Sequence, residues 1–135
     1  HANEREVKCV CSLKEISVKA NEAMLSSALE NIVRNAIKYT SVNTTVSIIL
    51  EQLDEEPELV NITIQDYGPG VPENMLEKIF EPFVRVEEDR DRKTGSYGLG
   101  LAIAQRAINL HGGTISAENA RDGGLMVTIR LPVKI

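Results

Sequence analysis

The stretch Asp66-Tyr67-Gly68-Pro69-Gly70 follows directly on a β-type run, residues 59–65, and ends it with two glycines. A second cluster, Gly95-Ser96-Tyr97-Gly98-Leu99-Gly100-Leu101, opens a helical pattern that continues to His111. Glycine lets a backbone approach a ligand closely, and glycines before a helix leave several N–H groups exposed as an anion site. The two clusters therefore predict ligand-binding loops at the end of a strand and at the start of a helix.

The rest of the chain alternates between β-type runs and helical patterns. Apolar residues recur at helical spacing after Asn21 and as far as Tyr39, which predicts one long helix. Further helices are predicted over residues 72–79 and 98–111, and strands over residues 7–13, 16–19, 44–53, 59–65, 114–118 and 125–131. The expected fold class is α+β. It is a two-layer α/β sandwich, with a mixed, mostly antiparallel sheet of about five strands covered on one face by about three helices.

Length and composition fit a single domain over residues 1–135, with 42% hydrophobic residues available for a core. The net charge of −5 argues against a nucleic-acid partner, which would need a basic patch. No run approaches the roughly 20 apolar residues of a membrane span, and no signal peptide is visible. Cys9 and Cys11 make a poor zinc site and are expected to be reduced core thiols. These features predict a soluble piece of a larger protein.

Polar residues gather on one side of the long predicted helix. At about 100° per residue, Asn31, Asn35 and Lys38 lie together, opposite the apolar stripe. A solvated face is the plainer interpretation, although Asn has a low helix propensity. An amide oxygen also suits Mg²⁺, which binds few protein groups and commonly completes its shell with phosphates and water. Glu30 and Arg34 are spaced as an i,i+4 ion pair and are assigned no chemistry.

The other motif residues also allow a structural interpretation. Asp66 alone is typical of a turn after a strand, and the glycines before residue 101 are compatible with an ordinary flexible loop. They form neither a P-loop, which needs G-x-x-x-x-G-K-[ST], nor a dinucleotide fingerprint, since no strand leads directly into them. Phe80 and Phe83 are most simply anchors of residues 86–97, a charged stretch expected to form a mobile, functional loop.

Four elements in this order resemble the N, G1, F and G2 boxes of sensor histidine kinases. They are Asn31-x-x-x-Asn35, Asp66-Tyr67-Gly68-Pro69-Gly70, Phe80-Glu81-Pro82-Phe83-Val84-Arg85 and the glycine cluster at residues 95–101. In that family the boxes mark the ATP-binding catalytic domain. Its fold is the Bergerat or GHKL fold shared with gyrase, Hsp90 and MutL, so the resemblance implies the same α+β sandwich here.

The resemblance also implies roles for individual residues, with ATP and Mg²⁺ as cofactors. Asp66 would accept a hydrogen bond from the exocyclic amine of adenine, and Asn35 would hold Mg²⁺ against the phosphates. Asn31 and Arg85 would act in catalysis, Asn31 by assisting the metal and Arg85 by contacting the γ-phosphate. The other nucleotide-binding residues implied are Lys38, Tyr39, Gly68, Gly70, Arg92, Lys93, Gly98, Leu99, Gly100 and Leu101.

The implied function is transfer of the γ-phosphoryl group of Mg-ATP to a histidine. His1 is terminal and His111 belongs to a helix-ending turn, so the acceptor is expected on a separate dimerisation and phosphoacceptor domain. The isolated chain should then bind nucleotide without autophosphorylation. One alternative is a GHKL-type ATPase, but those enzymes use a Glu where this chain has Asn31, and an amide cannot act as a base. A catalytically silent nucleotide-sensing module and a serine-directed anti-sigma kinase are further alternatives.

Residues 28–36 and the Asp-Arg-x-Thr-Gly segment at residues 91–95 are similar to bacterial envelope-stress sensor kinases. That similarity implies a homodimeric, membrane-embedded parent protein, with this domain on the cytoplasmic side of the inner or cell membrane. The partners implied are the parent's own phosphoacceptor domain and the receiver domain of a response regulator. No nucleic-acid partner is expected.

Overall fold

The computed structural model describes residues 6–11, 22–53, 59–82 and 100–132. Within these ranges, five strands form one sheet: β1 (Glu6–Cys11), β2 (Thr45–Leu53), β3 (Leu59–Gln65), β4 (Thr114–Asn119) and β5 (Leu125–Pro132). The same ranges contain two α-helices, α1 (Glu22–Tyr39) and α2 (Gly100–Leu110), and two 3₁₀ turns, Glu73–Met75 and Lys78–Phe80.

The sheet is mixed and mostly antiparallel, as predicted. Its strand order is β1-β2-β3-β5-β4, in which β1 runs parallel to β2 and every other neighbouring pair is antiparallel. At the centre, Ile62 lies opposite Leu50 on one side and Ile129 on the other. The strand predicted at residues 16–19 lies outside the described residues.

The core lies between one face of the sheet and the helices. Alternate residues of β3 and β5, among them Ile64 and Ile129, are buried because successive strand residues point to opposite faces. From the helical layer, Ala28 and Ile32 of α1 and Ile108 of α2 meet them with at most 1% of their surface exposed. The apolar stripe predicted for the long helix therefore faces the sheet, and the polar side of α1 is left for the site.

Two helical segments were predicted to end or to lie near turns, and the structure shows how each is formed. The C-terminus of α2 is closed by a Schellman motif, in which Gly113 donates to the Ile108 carbonyl at 2.9 Å and Gly112 to that of Asn109 at 3.0 Å. Gly112-Gly113 thus ends the helix as predicted. The helix predicted over residues 72–79 takes the form of the two 3₁₀ turns, with i→i+3 bonds such as Met75 N–H to the Pro72 carbonyl at 2.8 Å.

Candidate functional site

Asp66 is fixed at the carboxyl end of β3 with only 4% of its surface exposed. Its Oδ1 accepts hydrogen bonds from the backbone N–H groups of Gly68 at 2.9 Å and Leu125 at 3.0 Å. The Asp66 N–H in turn donates to the Leu125 carbonyl at 3.0 Å. Within the described part of the chain, no group donates to the second oxygen, Oδ2. The side chain is therefore a positioned acceptor with one oxygen held and one available.

The environment of Asp66 sets its proton affinity. Burial raises the pKa of this carboxyl above its ordinary value, because the charged form loses solvation. The backbone N–H groups of Gly68 and Leu125 act in the opposite direction by stabilising the carboxylate, but burial has the larger effect. A carboxyl in such a balance is a functional-site candidate.

The raised pKa of Asp66 predicts a pH dependence of stability. The folded state binds this proton more tightly than the unfolded chain, so the free energy of unfolding falls as pH rises from the ordinary Asp pKa through the raised one. The variant Asp66→Asn lacks this titration. Urea unfolding of both proteins between about pH 4 and pH 7 should show wild type losing stability relative to the variant in that window. Parallel stability curves would contradict the expectation.

The loop after Asp66 is packed against the C-terminal end of α1. Thr40, which is 2% exposed, accepts a hydrogen bond from the Tyr67 N–H through its Oγ1 at 2.9 Å, and Ser41 N–H donates to the Tyr67 carbonyl at 3.4 Å. A Cβ at Gly68 would lie 2.0 Å from the Tyr39 carbonyl oxygen. Only glycine permits this approach, so the end of α1 and the Asp66 loop form one surface.

The β4–β5 hairpin holds the same loop from the other side. Gly124 has φ +85°, and a Cβ there would lie 1.9 Å from the Asp66 carbonyl oxygen. At the far end of the loop, the side-chain amide of Asn119 accepts from Val71 N–H at 2.9 Å and donates to the Val71 carbonyl at 2.6 Å. Gly70, with φ +73°, packs against Asn119. The loop is thus clamped between α1 and the hairpin.

The predicted Asn face of α1 borders the start of α2. Asn31 and Asn35 are half-buried, and no residue of the described ranges hydrogen-bonds either side-chain amide. A Cβ at Gly100, the first residue of α2, would lie 4.0 Å from the Asn31 Cβ. One turn beyond Asn35, the exposed Lys38 places its Nζ 5.5 Å from the centroid of the Tyr39 ring. Amide oxygens, an ammonium group and a helix N-terminus therefore lie along one side of α1.

The other residues that the sequence analysis singled out divide into three groups. Leu101 is 1% exposed and packs in the core, so its side chain holds the start of α2 in place. Phe80 is likewise buried at 7% exposure, as expected of an anchor. Glu30 and Arg34 form the predicted ion pair, at 2.5 Å on the exposed side of α1. Arg85, Arg92, Lys93, Gly98 and Leu99, as well as Phe83, lie outside the described residues.

Three residues that shape the site were not identified from the sequence: Thr40, Asn119 and Gly124. Thr40 comes directly after the predicted helix, and Gly124 comes after another glycine in a predicted turn. Their sequence context therefore gives only a weak indication of a role in the site. Asn119 gave none, because its partner Val71 is 48 residues away. Their contacts depend on the sheet register, which places β4 and β5 beside the end of β3.

The described residues contain no group of three or more His, Cys, Asp or Glu able to hold a metal ion. None of the helices in the described ranges combines the length and apolar character that crossing a membrane requires.

Comparison with known proteins shows the family to which the chain belongs. Residues 20–135 match the family described as histidine kinase-, DNA gyrase B- and HSP90-like ATPases. Sensor histidine kinase CpxA of Escherichia coli is 44% identical over 113 residues, covering 84% of this chain and 24% of that protein. Sensor histidine kinase WalK of Bacillus subtilis is 37% identical over 121 residues, covering 90% and 20% respectively. The chain thus spans about a quarter or less of these relatives.

Solved structures share the fold. The mycobacterial sensor histidine kinase MprB superposes with a TM-score of 0.81 at 28% identity, covering 96% of this chain and 83% of that one. The catalytic domain of histidine kinase ThkA gives a TM-score of 0.78 at 29% identity, with 95% and 80% covered. The chain belongs to the family of histidine kinase-, gyrase B- and HSP90-like ATPases, and its fold is that of histidine kinase catalytic domains.

Proposed function

We propose that this chain is a single catalytic ATP-binding domain of a sensor histidine kinase. It holds Mg-ATP and passes the γ-phosphoryl group to a histidine on a separate dimerisation and phosphoacceptor domain. The observation that carries the proposal is the geometry of Asp66: two backbone N–H groups hold its Oδ1, and no residue that the structure describes donates to its Oδ2. An acceptor fixed in this way at a nearly buried position recognises an amino group and discriminates against a carbonyl.

The base is assigned to the Asp66 end of the site. The exocyclic amine of adenine donates to Asp66 Oδ2, whereas guanine would present a carbonyl oxygen there. Gly68 and Gly70 leave the loop without side chains, so the base can approach the backbone. Tyr39, whose carbonyl packs against Gly68, contributes its ring beside the base or sugar. Selectivity for adenine follows from this arrangement.

The phosphates are assigned to the other end, along the polar side of α1. Asn31 precedes Tyr39 by eight residues, or about 12 Å of helix rise, and borders the N-terminus of α2 at Gly100. The backbone N–H groups of Gly100 and Leu101, at the start of α2, suit an anion, and Gly98 and Leu99, which precede them in the sequence, are assigned to the same phosphates. Lys38 adds a positive charge. Arg85, Arg92 and Lys93, which precede α2 in the sequence, are also assigned to the phosphates. These local groups offset the net charge of −5.

Asn35 is assigned to Mg²⁺, with Asn31 in support. The half-buried amides of both residues are without partners among the described residues, which leaves their oxygens available as hard ligands. The absence of an acidic cluster within the described ranges fits a metal that is bound mainly through the nucleotide's phosphates. The ion would neutralise phosphate charge during transfer.

Transfer requires positioning and electrostatic stabilisation more than covalent chemistry by this chain. The bond between the β–γ bridging oxygen and the γ-phosphorus breaks, and ADP departs with the electron pair. A ring nitrogen of the acceptor histidine forms the new bond to phosphorus. Asp66 fixes the base end of the nucleotide, and Arg85 is assigned to the charge on the transferred group.

A histidine kinase is favoured over an ATPase by Asn31. It lies one turn before Asn35 on the same side of α1, where a base for water activation would be needed, and its amide cannot accept that proton. Incubation with γ-labelled ATP and a histidine-bearing phosphoacceptor domain should give acid-labile, base-stable label on that domain. Release of inorganic phosphate alone would favour the ATPase, and neither product despite nucleotide binding would favour a silent module.

The parent protein is proposed to be a homodimeric sensor embedded in the inner or cell membrane, with this domain on the cytoplasmic side. Support comes from the likeness to sensor histidine kinases such as CpxA and WalK. The partners proposed are its phosphoacceptor domain and the receiver domain of a response regulator.

Replacing Asn35 with alanine should remove most of the gain in nucleotide affinity that Mg²⁺ provides. We expect a loss of about tenfold or more for Mg-ATP with little change in its absence, because the lost oxygen is a metal ligand. Titration calorimetry with and without Mg²⁺ measures both values. The matched control is Asn109→Ala, at an exposed position of α2 away from the site. A folded Asn35→Ala variant with the full Mg²⁺ effect would refute the metal assignment.

A further inference from the structure

We propose that Asn119 is a positioning residue for the base-binding loop, defined as residues 67–71, and that it contributes to the choice of adenine over guanine. This inference rests on the proposed nucleotide site. Asn119 lies outside every motif that the sequence identified, at the end of β4.

The geometry of Asn119 is that of a two-point clamp. Its Oδ1 accepts from Val71 N–H at 2.9 Å, and its Nδ2 donates to the carbonyl of the same residue at 2.6 Å. A carboxamide is the neutral side chain that presents an acceptor and a donor in one plane. Two bonds to one residue fix the orientation of that peptide segment as well as its position. Asn119 thereby fixes where the loop ends.

The other hydrogen bonds that hold the loop lie at its beginning, whereas at its end the buried side chain of Val71, 5% exposed, packs in the core. Tyr67 is held by Thr40 and Ser41, and Gly68 by Asp66 Oδ1. Among the described residues, none forms a hydrogen bond with the backbone of Gly70. A Cβ at Gly70 would lie 2.6 Å from Asn119 Oδ1, so this glycine lies directly against the clamp. Without Asn119, the Val71 side chain still anchors the end of the loop in the core, but the two hydrogen bonds that orient the Val71 backbone are lost.

Because of where Asn119 lies, loss of its side chain should affect the base-binding loop more than the stability of the fold. Its side chain is exposed and lies outside the hydrophobic core. The neighbouring Leu125 and Val127 of β5, by contrast, are buried in the core. Bonds at such a position contribute modestly to the free energy of folding. Loss of the side chain should therefore alter the base site while leaving the sheet intact.

Asn119→Ala is the direct test, with Asn109→Ala as the matched control. Titration calorimetry with non-hydrolysable ATP and GTP analogues should show the ratio of the two affinities falling by about fivefold. The affinity for the GTP analogue, which is the weaker ligand, should change little, because guanine gains least from the base-binding loop. Amide hydrogen exchange should show the Val71 N–H losing protection. The control should retain both the ratio and the protection.

The outcomes distinguish this inference from the proposed function. A folded wild type without preference for adenine would overturn both. A selective wild type whose Asn119→Ala variant keeps the ratio and the Val71 protection would overturn the role of Asn119 alone, as would equal weakening of both nucleotides. If Asn119→Ala fails to fold, Asn119→Asp decides. It keeps the size and one acceptor but puts a carboxylate oxygen opposite the Val71 carbonyl in place of the Nδ2 donor, so it should also lower the ratio of the two affinities, and an unchanged ratio would overturn the role of Asn119.

Discussion

Gly124→Ala should destabilise the fold by about 4 kcal/mol. Two costs combine at this position. Gly124 has φ +85°, which an L-residue with a Cβ rarely adopts, and the new Cβ would lie 1.9 Å from the Asp66 carbonyl oxygen. Because the atom it meets is backbone, the clash cannot be relieved by a side-chain rotation. The midpoint of urea unfolding measures the change.

Gly123→Ala is the matched control for this prediction. Gly123 also has a positive φ, +107°, but a Cβ there would meet nothing within 4 Å. It should cost about 1–2 kcal/mol, the conformational part alone. Equal unfolding midpoints for the two variants would show that the close approach to Asp66 does not matter. Nucleotide titration of any Gly124→Ala protein that folds should show weakened binding, since Asp66 must move.

Asp66→Asn should abolish the preference for adenine nucleotides, with a loss of about 100-fold in ATP affinity. The substitution changes almost no volume. The amide oxygen can still accept from Gly68 and Leu125 in place of Oδ1, while the amide nitrogen replaces Oδ2. A donor then faces the exocyclic amine of adenine. The same donor complements the carbonyl of guanine, so GTP affinity should fall far less or rise.

Competition titrations of ATP and GTP analogues against a fluorescent nucleotide give both affinities. Asp122→Asn is the control. Asp122 is an exposed carboxylate in the turn between β4 and β5, and its replacement should leave both affinities unchanged. Because burial raises the pKa of Asp66, the variant should fold at least as stably as wild type at neutral pH. Unchanged base discrimination in a folded Asp66→Asn variant would remove this residue from the base site.

Much of the fold was predictable because its signals are local. The period of the apolar residues in α1, the alternating runs of β2, β3 and β5, and the Gly112-Gly113 stop each lie within one segment. The motif order around Asp66 also pointed to a family, and the comparisons confirm that family. Local pattern and motif spacing were thus sufficient for the architecture.

The parts that could not be predicted depend on contacts between distant segments. Asp66 is held by Leu125, 59 residues later, and the loop by Asn119, 48 residues from Val71. Nothing within either segment specifies the partner, since the pairing of β3 with β5 creates the contact. Residues 72–79 were predicted as one helix, but the structure has two 3₁₀ turns, Glu73–Met75 and Lys78–Phe80, and a short apolar pattern does not distinguish the two.

Titration calorimetry of the wild-type chain with a non-hydrolysable ATP analogue, with and without Mg²⁺, and with the matching GTP analogue, tests the nucleotide site most directly. The expected result is saturable binding at one site that is strengthened by Mg²⁺ and clearly weaker for the guanine nucleotide. A folded chain that shows no saturable binding would contradict the Mg-ATP site. Equal binding of both nucleotides would contradict the assignment of Asp66, and binding unaffected by Mg²⁺ would contradict that of Asn35.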